Sequence, residues 1–279
     1  MILKRYLSSD NRKESNAMEI KPKIRDLLVY QVGKTILHWL EHMISRYSAI
    51  DHSFFFDPGY FPWTSTLEDN WHVIRRELDL ILESREQLPG FHDISRDQYR
   101  LSSDGLWKTF FFYGYGIKMA QNCQRCPMTT QLIEAIPGMK TAFFSIMLPG
   151  KHIPEHRGPY KGLLRYQLAL KVPQDWKNCR IRVGDQYRHW KEGKSLLFDD
   201  SFPHEAWNST EEVRVILFMD VVRPTKFPVS ILNHLLIYLI RWSPYVRDAR
   251  KNQQQWDERL ANAAKRKTEE MTQVGTREY

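Results

Sequence analysis

Apolar residues recur at helical spacing near the start of the chain and give way to short strand-like runs in its middle. Leu28, Val32, Ile36, Trp39, Leu40, Met43 and Tyr47 fall on one face of a 3.6-residue period, with Lys34, Glu41 and Arg46 off it. This spacing predicts an amphipathic helix within Ile24 to Tyr47, its apolar face turned to its own domain or to a membrane surface or partner. Asp57-Pro58-Gly59-Tyr60-Phe61-Pro62 is turn chemistry, after which Thr66 is placed to cap a helix carrying Leu67, Trp71, Ile74, Leu78 and Ile81 inward. A loop-rich passage to about Asp104 follows.

From Leu106 the runs turn aromatic and β-branched: Leu106 to Tyr113, Thr141 to Leu148, Leu163 to Val172, Arg180 to Val183, Ser195 to Phe198 and Val213 to Val222. Gly, Pro and Asp separate them, and one helix, at about Thr129 to Ile136, interrupts them. Short strands at this spacing predict an antiparallel sandwich or barrel, of which the jelly roll is one form. Beyond Arg223-Pro224 come an apolar segment, Val229 to Ile240, a break at Ser243-Pro244, and a charged tail from Arg247 that reads as an exposed helix running into disorder. The expected division is 1–50 (tail and amphipathic helix), 51–105 (helix and loop), 106–224 (β domain) and 225–279 (apolar helix and charged tail).

Composition narrows the class. With 279 residues, 42% of them hydrophobic and 27% charged, the chain is long enough for an enclosed site and too apolar to be wholly disordered. The balance of 41 Lys and Arg against 33 Asp and Glu favours anionic partners. The basic residues are dispersed without an RNP or helix-turn-helix pattern, so no nucleic acid is expected. Three cysteines, Cys123, Cys126 and Cys179, suit a reducing compartment; with no apolar signal region after Met1 to Asp10, a cytoplasmic location is expected. The Val229 to Ile240 segment contains Ser230, Asn233 and His234 and falls short of the roughly 18 apolar residues of a spanning helix, so it fits a buried or interfacial one.

The familiar phosphate-binding and serine-hydrolase signatures are absent: no GxxxxGK[ST], no GxGxxG after a strand and no GxSxG. Cys123 and Cys126 form a lone CxxC without a second pair, and ordinary thiols are expected there. His152-Ile-Pro-Glu155-His156 has the letters of a zinc-hydrolase helix, but Pro154 and the flanking Pro149-Gly150 and Gly158-Pro159 make it a loop between strands.

A longer pattern is more informative. His156 is expected in the turn after the Thr141 to Leu148 strand, Arg165 and Gln167 in the next strand, His204 after Asp199-Asp200-Ser201-Phe202-Pro203, and Arg214 at the start of a later strand. Neutral imidazoles suit Fe(II), and a two-histidine site with open positions accepts a chelating acid and O2. Alternation puts Arg165 on a face with Leu163, Gln167 and Ala169, and Arg214 with Ile216 and Phe218. An arginine on an apolar face needs a carboxylate, either a bound dicarboxylic acid or a partner such as Asp199, Asp200 or Asp220.

The runs SIMLPGKHIPEHRGPYKGLLRYQLAL and WKEGKSLLFDDSFPHEAWNSTEEVRVILFMDVVRP resemble the aspartyl/asparaginyl β-hydroxylase family, which includes the LpxO-like lipid A hydroxylases; the likeness covers about Leu106 to Pro224. The resemblance implies a mainly β fold, a double-stranded β-helix (jelly roll, cupin-like) with flanking N- and C-terminal helices, and an Fe(II)- and 2-oxoglutarate-dependent dioxygenase using O2. It implies iron binding by His156 and His204, a grip on the distal carboxylate of 2-oxoglutarate by Arg214, and further co-substrate contacts at Ser145 and Arg165. The carboxylate that often follows the first histidine is absent, since His156-Arg157-Gly158 stands there, which resembles the protein-modifying members. Gln167 stands where relatives often have histidine. Asp199 and Asp200 either orient a ligand histidine or close a turn.

Two substrates remain open, a peptidyl Asp or Asn and a lipid acyl chain hydroxylated at its 2-position as in lipid A. The lipid alternative comes with peripheral contact at the inner membrane face through the two apolar helix faces. A non-catalytic cupin-like binding module is the alternative from another class.

Overall fold

The computed structural model describes Thr35 and residues 38–95, 99–158 and 160–275, with side chains to residue 259. The chain divides into two compact units, 1–43 and 44–279. In the first, Thr35 and residues 38–43 are helical. The remainder of the predicted amphipathic segment, from Ile24 to Lys34 with Ile36 and Leu37, lies outside the described residues.

The second unit opens with strand β1 (Phe55–Phe56) and helices α1 (Trp63–Asp69) and α2 (Trp71–Leu82). Thr66 therefore lies inside α1 rather than capping a helix, and Asn70 breaks what reads as one helix into two. The passage expected to be loop holds two single-turn helices, α3 (Phe91–Ile94) and α4 (Tyr99–Ser102). After β2 (Trp107–Gly114) and β3 (Ile117–Lys118), α5 (Ala120–Arg125) precedes α6 (Pro127–Glu134). The Glu77 carboxylate of α2 accepts from the backbone N–H groups of Met128 (2.9 Å) and Thr129 (2.8 Å), satisfying donors that the first turn of α6 leaves free.

The remaining strands are β4 (Met139–Met147), β5 (His152–His156), β6 (Leu163–Lys171), β7 (Cys179–Val183), β8 (Gln186–His189), β9 (Ser195–Phe198), β10 (His204–Asn208) and β11 (Arg214–Val222), followed by helices α7 (Val229–Arg241) and α8 (Pro244–Gly275). They form a seven-stranded sheet, β1-β9-β6-β11-β4-β2-β3, facing a four-stranded sheet, β5-β10-β7-β8, with every pairing antiparallel. The architecture is a double-stranded β-helix, or jelly roll, with flanking helices.

The large sheet is buried on both faces. Outward, Phe110, Phe112, Phe144, Leu168, Leu217 and Met219 pack with Leu67, Ile74, Leu78 and Ile133 of the helices. Inward, Phe111, Phe143, Ala169, Ile216 and Phe218 meet Ile153, Cys179, Ile181, Val183 and Ala206 of the small sheet. Strand alternation delivers one set to each side.

Asn208, fully buried at the end of β10, ties the sheets together. Its amide nitrogen donates to the carbonyls of Met147 (3.1 Å), Leu148 (3.2 Å) and Glu212 (2.8 Å).

Candidate active site

Both histidines lie in strands. His156 is the last residue of β5 and His204 the first of β10, and the two are direct cross-strand partners. The turn expected at His152 to His156 is thus an edge strand, which pairs only with β10; an edge tolerates Pro154 because its missing donor is not needed there. His152 projects outward, its Nε2 2.7 Å from Glu205 and its ring stacked on Trp207.

The imidazoles of His156 and His204 have ring centroids 4.1 Å apart. Each Nδ1 donates to a backbone carbonyl two residues back, Pro154 (2.8 Å) and Phe202 (3.0 Å). A carbonyl oxygen only accepts, so Nδ1 carries the proton and each Nε2 keeps its lone pair. Burial pushes His156 down to about 4 against its bond to Pro154, with Arg165 and Arg100 adding to the fall. Burial, His156 and Arg165 together push His204 well below the usual histidine range. Two neutral rings with unprotonated Nε2 atoms offer a donor pair for a cation, which at His204 would take the place of the 3.4 Å contact from Arg165 Nη1. Among the described residues no third His, Cys, Asp or Glu completes a group of three.

Arg165, on β6, turns into the space between the sheets. Its Nη1 is 3.4 Å from His204 Nε2, its Nη2 2.7 Å from Asp200 and its Nε 3.2 Å from Asp220, while its guanidinium lies 4.4 Å from the Phe218 ring centroid. Burial raises both carboxylates above their ordinary range despite the pull of Arg165. Asp199 pairs instead with Arg223 and accepts from the Ser201 N–H (3.0 Å). Neither Asp199 nor Asp200 orients a histidine through Nδ1; the backbone carbonyls do that. Gly158 lies where its backbone N–H donates to the Asp200 carbonyl (2.7 Å), and a Cβ there would meet the Asp200 carboxylate.

Arg214 opens β11 opposite Met147 of β4 and is 2% exposed. Its guanidinium lies over the Trp190 ring at 4.4 Å, its Nη1 is 3.4 Å from the Ser145 carbonyl, and its Nη2 meets the Met147 sulfur. Its Nε has no partner, and among the described residues no carboxylate pairs with it. Burial lowers Arg214 to about 10, with Cys179 opposing the fall, so it stays cationic at neutral pH. A desolvated cation in this state is stabilised by an anion, and a carboxylate matches its planar fork.

Ser145 receives a hydrogen bond from Trp107 Nε1 (2.9 Å), and Gln167 one from Trp190 Nε1 (2.9 Å). Trp107, Trp190, Met147 and Cys179 thus shape the Arg214 end. Strand alternation marks Met147 as inward, but nothing in the sequence ties Trp107 or Trp190 to a site. Cys123 and Cys126 lie elsewhere, buried as free thiols with burial pushing both up.

The interior of this jelly roll holds a pair of neutral imidazoles and a buried guanidinium without a carboxylate partner among the described residues, and comparisons with known proteins define its class. The profile of the Aspartyl/Asparaginyl beta-hydroxylase family matches residues 68–224. An ornithine lipid ester-linked acyl 2-hydroxylase of Rhizobium tropici is 41% identical over 241 residues, covering 86% of each chain. The human aspartyl/asparaginyl beta-hydroxylase is 33% identical over 177 residues, 62% of this chain and 22% of that one, so this chain spans under a quarter of its length. A Klebsiella pneumoniae protein with a double-stranded β-helix domain matches at a TM-score of 0.25 with 16% identity, over 31% of this chain and 70% of that one. The chain belongs to the aspartyl/asparaginyl β-hydroxylase family and is a hydroxylase.

Proposed function

We propose that this hydroxylase depends on Fe(II) and 2-oxoglutarate and hydroxylates the acyl chain of a membrane lipid at the 2-position. The observation that carries the cofactor reading is the Arg214 guanidinium, which has no carboxylate partner among the described residues and is buried on the same inter-sheet side as two neutral histidines whose Nε2 atoms are the unprotonated nitrogens, that of His204 facing Arg165. His156 and His204 would hold the iron through those nitrogens. Arg214 would hold the distal carboxylate of 2-oxoglutarate, with Ser145 alongside. With O2, iron and 2-oxoglutarate held there would supply oxidative decarboxylation to succinate and CO2 coupled to hydroxylation of an unactivated C–H bond.

The protein orients and shields. The Pro154 and Phe202 carbonyls fix the imidazole tautomers, and Arg165, held by Asp200 and Asp220, sets the position of the His204 ring. Trp190 and Met147 keep water from Arg214, which strengthens its pairing with a carboxylate. Three buried, unpaired cysteines support a cytoplasmic location.

The lipid substrate rests on the Rhizobium relative, whose likeness runs through most of both chains. Gly158, at the position where a carboxylate is common, favours a second reading, a peptidyl Asp or Asn. One experiment separates the two: succinate release by the iron-loaded enzyme with ornithine lipid or with Asp- and Asn-containing peptides. Stimulation by the lipid alone is expected, and stimulation by peptide alone transfers the assignment. Anaerobic Fe(II) with 2-oxoglutarate should give a visible charge-transfer band in wild type and none in His156→Ala; no band in either leaves a binding module.

A further inference from the structure

Helix α7 is laid out as a surface helix turned the wrong way for water. Its inner stripe, Val229, Asn233 and Ile237, is buried. Asn233 accepts from the Tyr160 hydroxyl (2.9 Å) and donates to the Gly162 carbonyl (3.0 Å), and a Cβ at Gly162 would strike the Asn233 side chain. The helix is thereby fastened to the segment that links the His156 strand to the Arg165 strand.

Its outer face carries Ile231, Leu235, Tyr238, Leu239 and Trp242, all 51–68% exposed, and Phe227 just before the helix is 76% exposed. Positions 231, 235, 238 and 242 form one line along the helix. Scattered exposed apolar residues are ordinary on a protein surface, but a contiguous line of this kind marks an interaction face.

Exposed cations flank that line in sequence: Lys226 before the helix, Arg241 at its end and, on the first turns of α8, Arg247, Arg250 and Lys251. Between residues 226 and 251 the only acid is Asp248. A groove of about 770 Å³ runs beside the helix between Leu235, Tyr238 and Arg241 and the β2–β3 turn at Tyr115. The Tyr115 N–H lies 3.5 Å from Thr141 Oγ1, and Thr141 is the cross-strand partner of Asp220, so the groove lies beside the end of the sheet that carries Asp220.

We propose that the outer face of α7, with the start of α8, docks on an anionic lipid bilayer. The apolar line sits at the boundary between headgroups and acyl chains, Tyr238 and Trp242 lie at headgroup level, and the cations meet headgroup phosphates. Charge selects this occupant over a second copy of the chain, because a symmetric pairing through this face would set five cations against five. The inference deepens the lipid-substrate reading and rests on it only for its purpose.

The test is sedimentation of the full-length protein with phosphatidylcholine vesicles lacking or containing phosphatidylglycerol. Wild type is expected to sediment with the anionic vesicles only, and less as salt rises. Leu235→Glu with Trp242→Glu should lower the partition at least tenfold. Lys226→Glu and Arg241→Glu should each lower it about fivefold or more, since a cation near such a surface contributes about that factor. All variants should keep the unfolding temperature and the detergent-dispersed lipid turnover of wild type; if the double variant does not fold, Leu235→Gln with Trp242→Gln takes its place.

Wild type remaining in the supernatant, or variants that sediment like wild type, overturns the proposal. So does a dimer that these substitutions split into monomers without changing vesicle binding. Docking without turnover of any lipid supports the surface and sinks the substrate reading; turnover of dispersed lipid without docking does the reverse.

Discussion

The two faces of the seven-stranded sheet come from the same strands and are built to opposite ends. The outward face is closed by helices with apolar side chains throughout its core, including Leu67, Ile74, Leu78 and Ile133 at full burial. The inward face admits Arg165, Ser145, Gln167, Arg214 and Asp220 among its aromatics. One face therefore supplies folding free energy, and the other spends part of it holding charges and dipoles in the interior. Within the inward face the two arginines differ in the same way: Arg165 pairs with two aspartates, whereas Arg214 has no carboxylate partner among the described residues. The difference in partners, not burial as such, separates the two arginines.

Substitutions on the two faces should separate activity from stability. His204→Ala is expected to abolish iron retention and succinate release while moving the unfolding temperature by no more than about 4 °C, a shift worth about 1 kcal/mol in a chain of this size. Metal analysis and calorimetry check it, and unchanged iron content refutes the assignment. Arg214→Ala should raise the half-saturating 2-oxoglutarate concentration by about 30-fold or more, because truncating one partner of a desolvated charge pair costs about 2 to 5 kcal/mol. The prime substrate's KM should move little; equal effects on both would count against the role.

On the helix side, Leu78→Ala should lose a similar free energy, about 2 to 5 kcal/mol, as unfolding stability measured in urea, with the charge-transfer band intact. The smallest effect belongs to Glu68, which accepts from the Ser195 N–H and Lys194 Nζ, both at 2.8 Å. Burial pushes this carboxyl up, but those two bonds more than offset it and leave it below the ordinary value. A lowered carboxyl stabilises the fold above its unfolded-state pKa, near 4.5, and that contribution disappears as pH falls through the folded-state value. Glu68→Gln should therefore cost under about 1 kcal/mol at neutral pH, since Lys194 is largely exposed, and should flatten the acid limb of the stability curve.

The sequence exposes the same asymmetry. The long strands β2, β4, β6 and β11 are legible as apolar runs because both faces of their sheet are covered. The small sheet hides, since β5, β8 and β10 are short and carry polar residues such as His152, Glu155, Arg188 and Glu205 on solvent-facing positions; Pro154 adds a false turn signal. Hence His156 and His204 are recognisable by spacing and resemblance while their strands are not. Alternation correctly pairs Arg165 with Gln167 and Arg214 with Ile216, yet which arginine keeps a free valence depends on where Asp200 and Asp220 end up, and that is fixed only when distant segments meet.

Gly158 couples two distant stretches of the chain. The space that a side chain at this position would take is already filled by the Asp200 carboxylate, which is bound in turn to Arg165. A carboxylate side chain introduced at position 158 would collide with that pair and leave Arg165 only its bond to Asp220. A side chain at position 158 is therefore accommodated only if the residue at position 200 shifts or shrinks with it, so that two positions 42 residues apart in sequence behave as one steric unit.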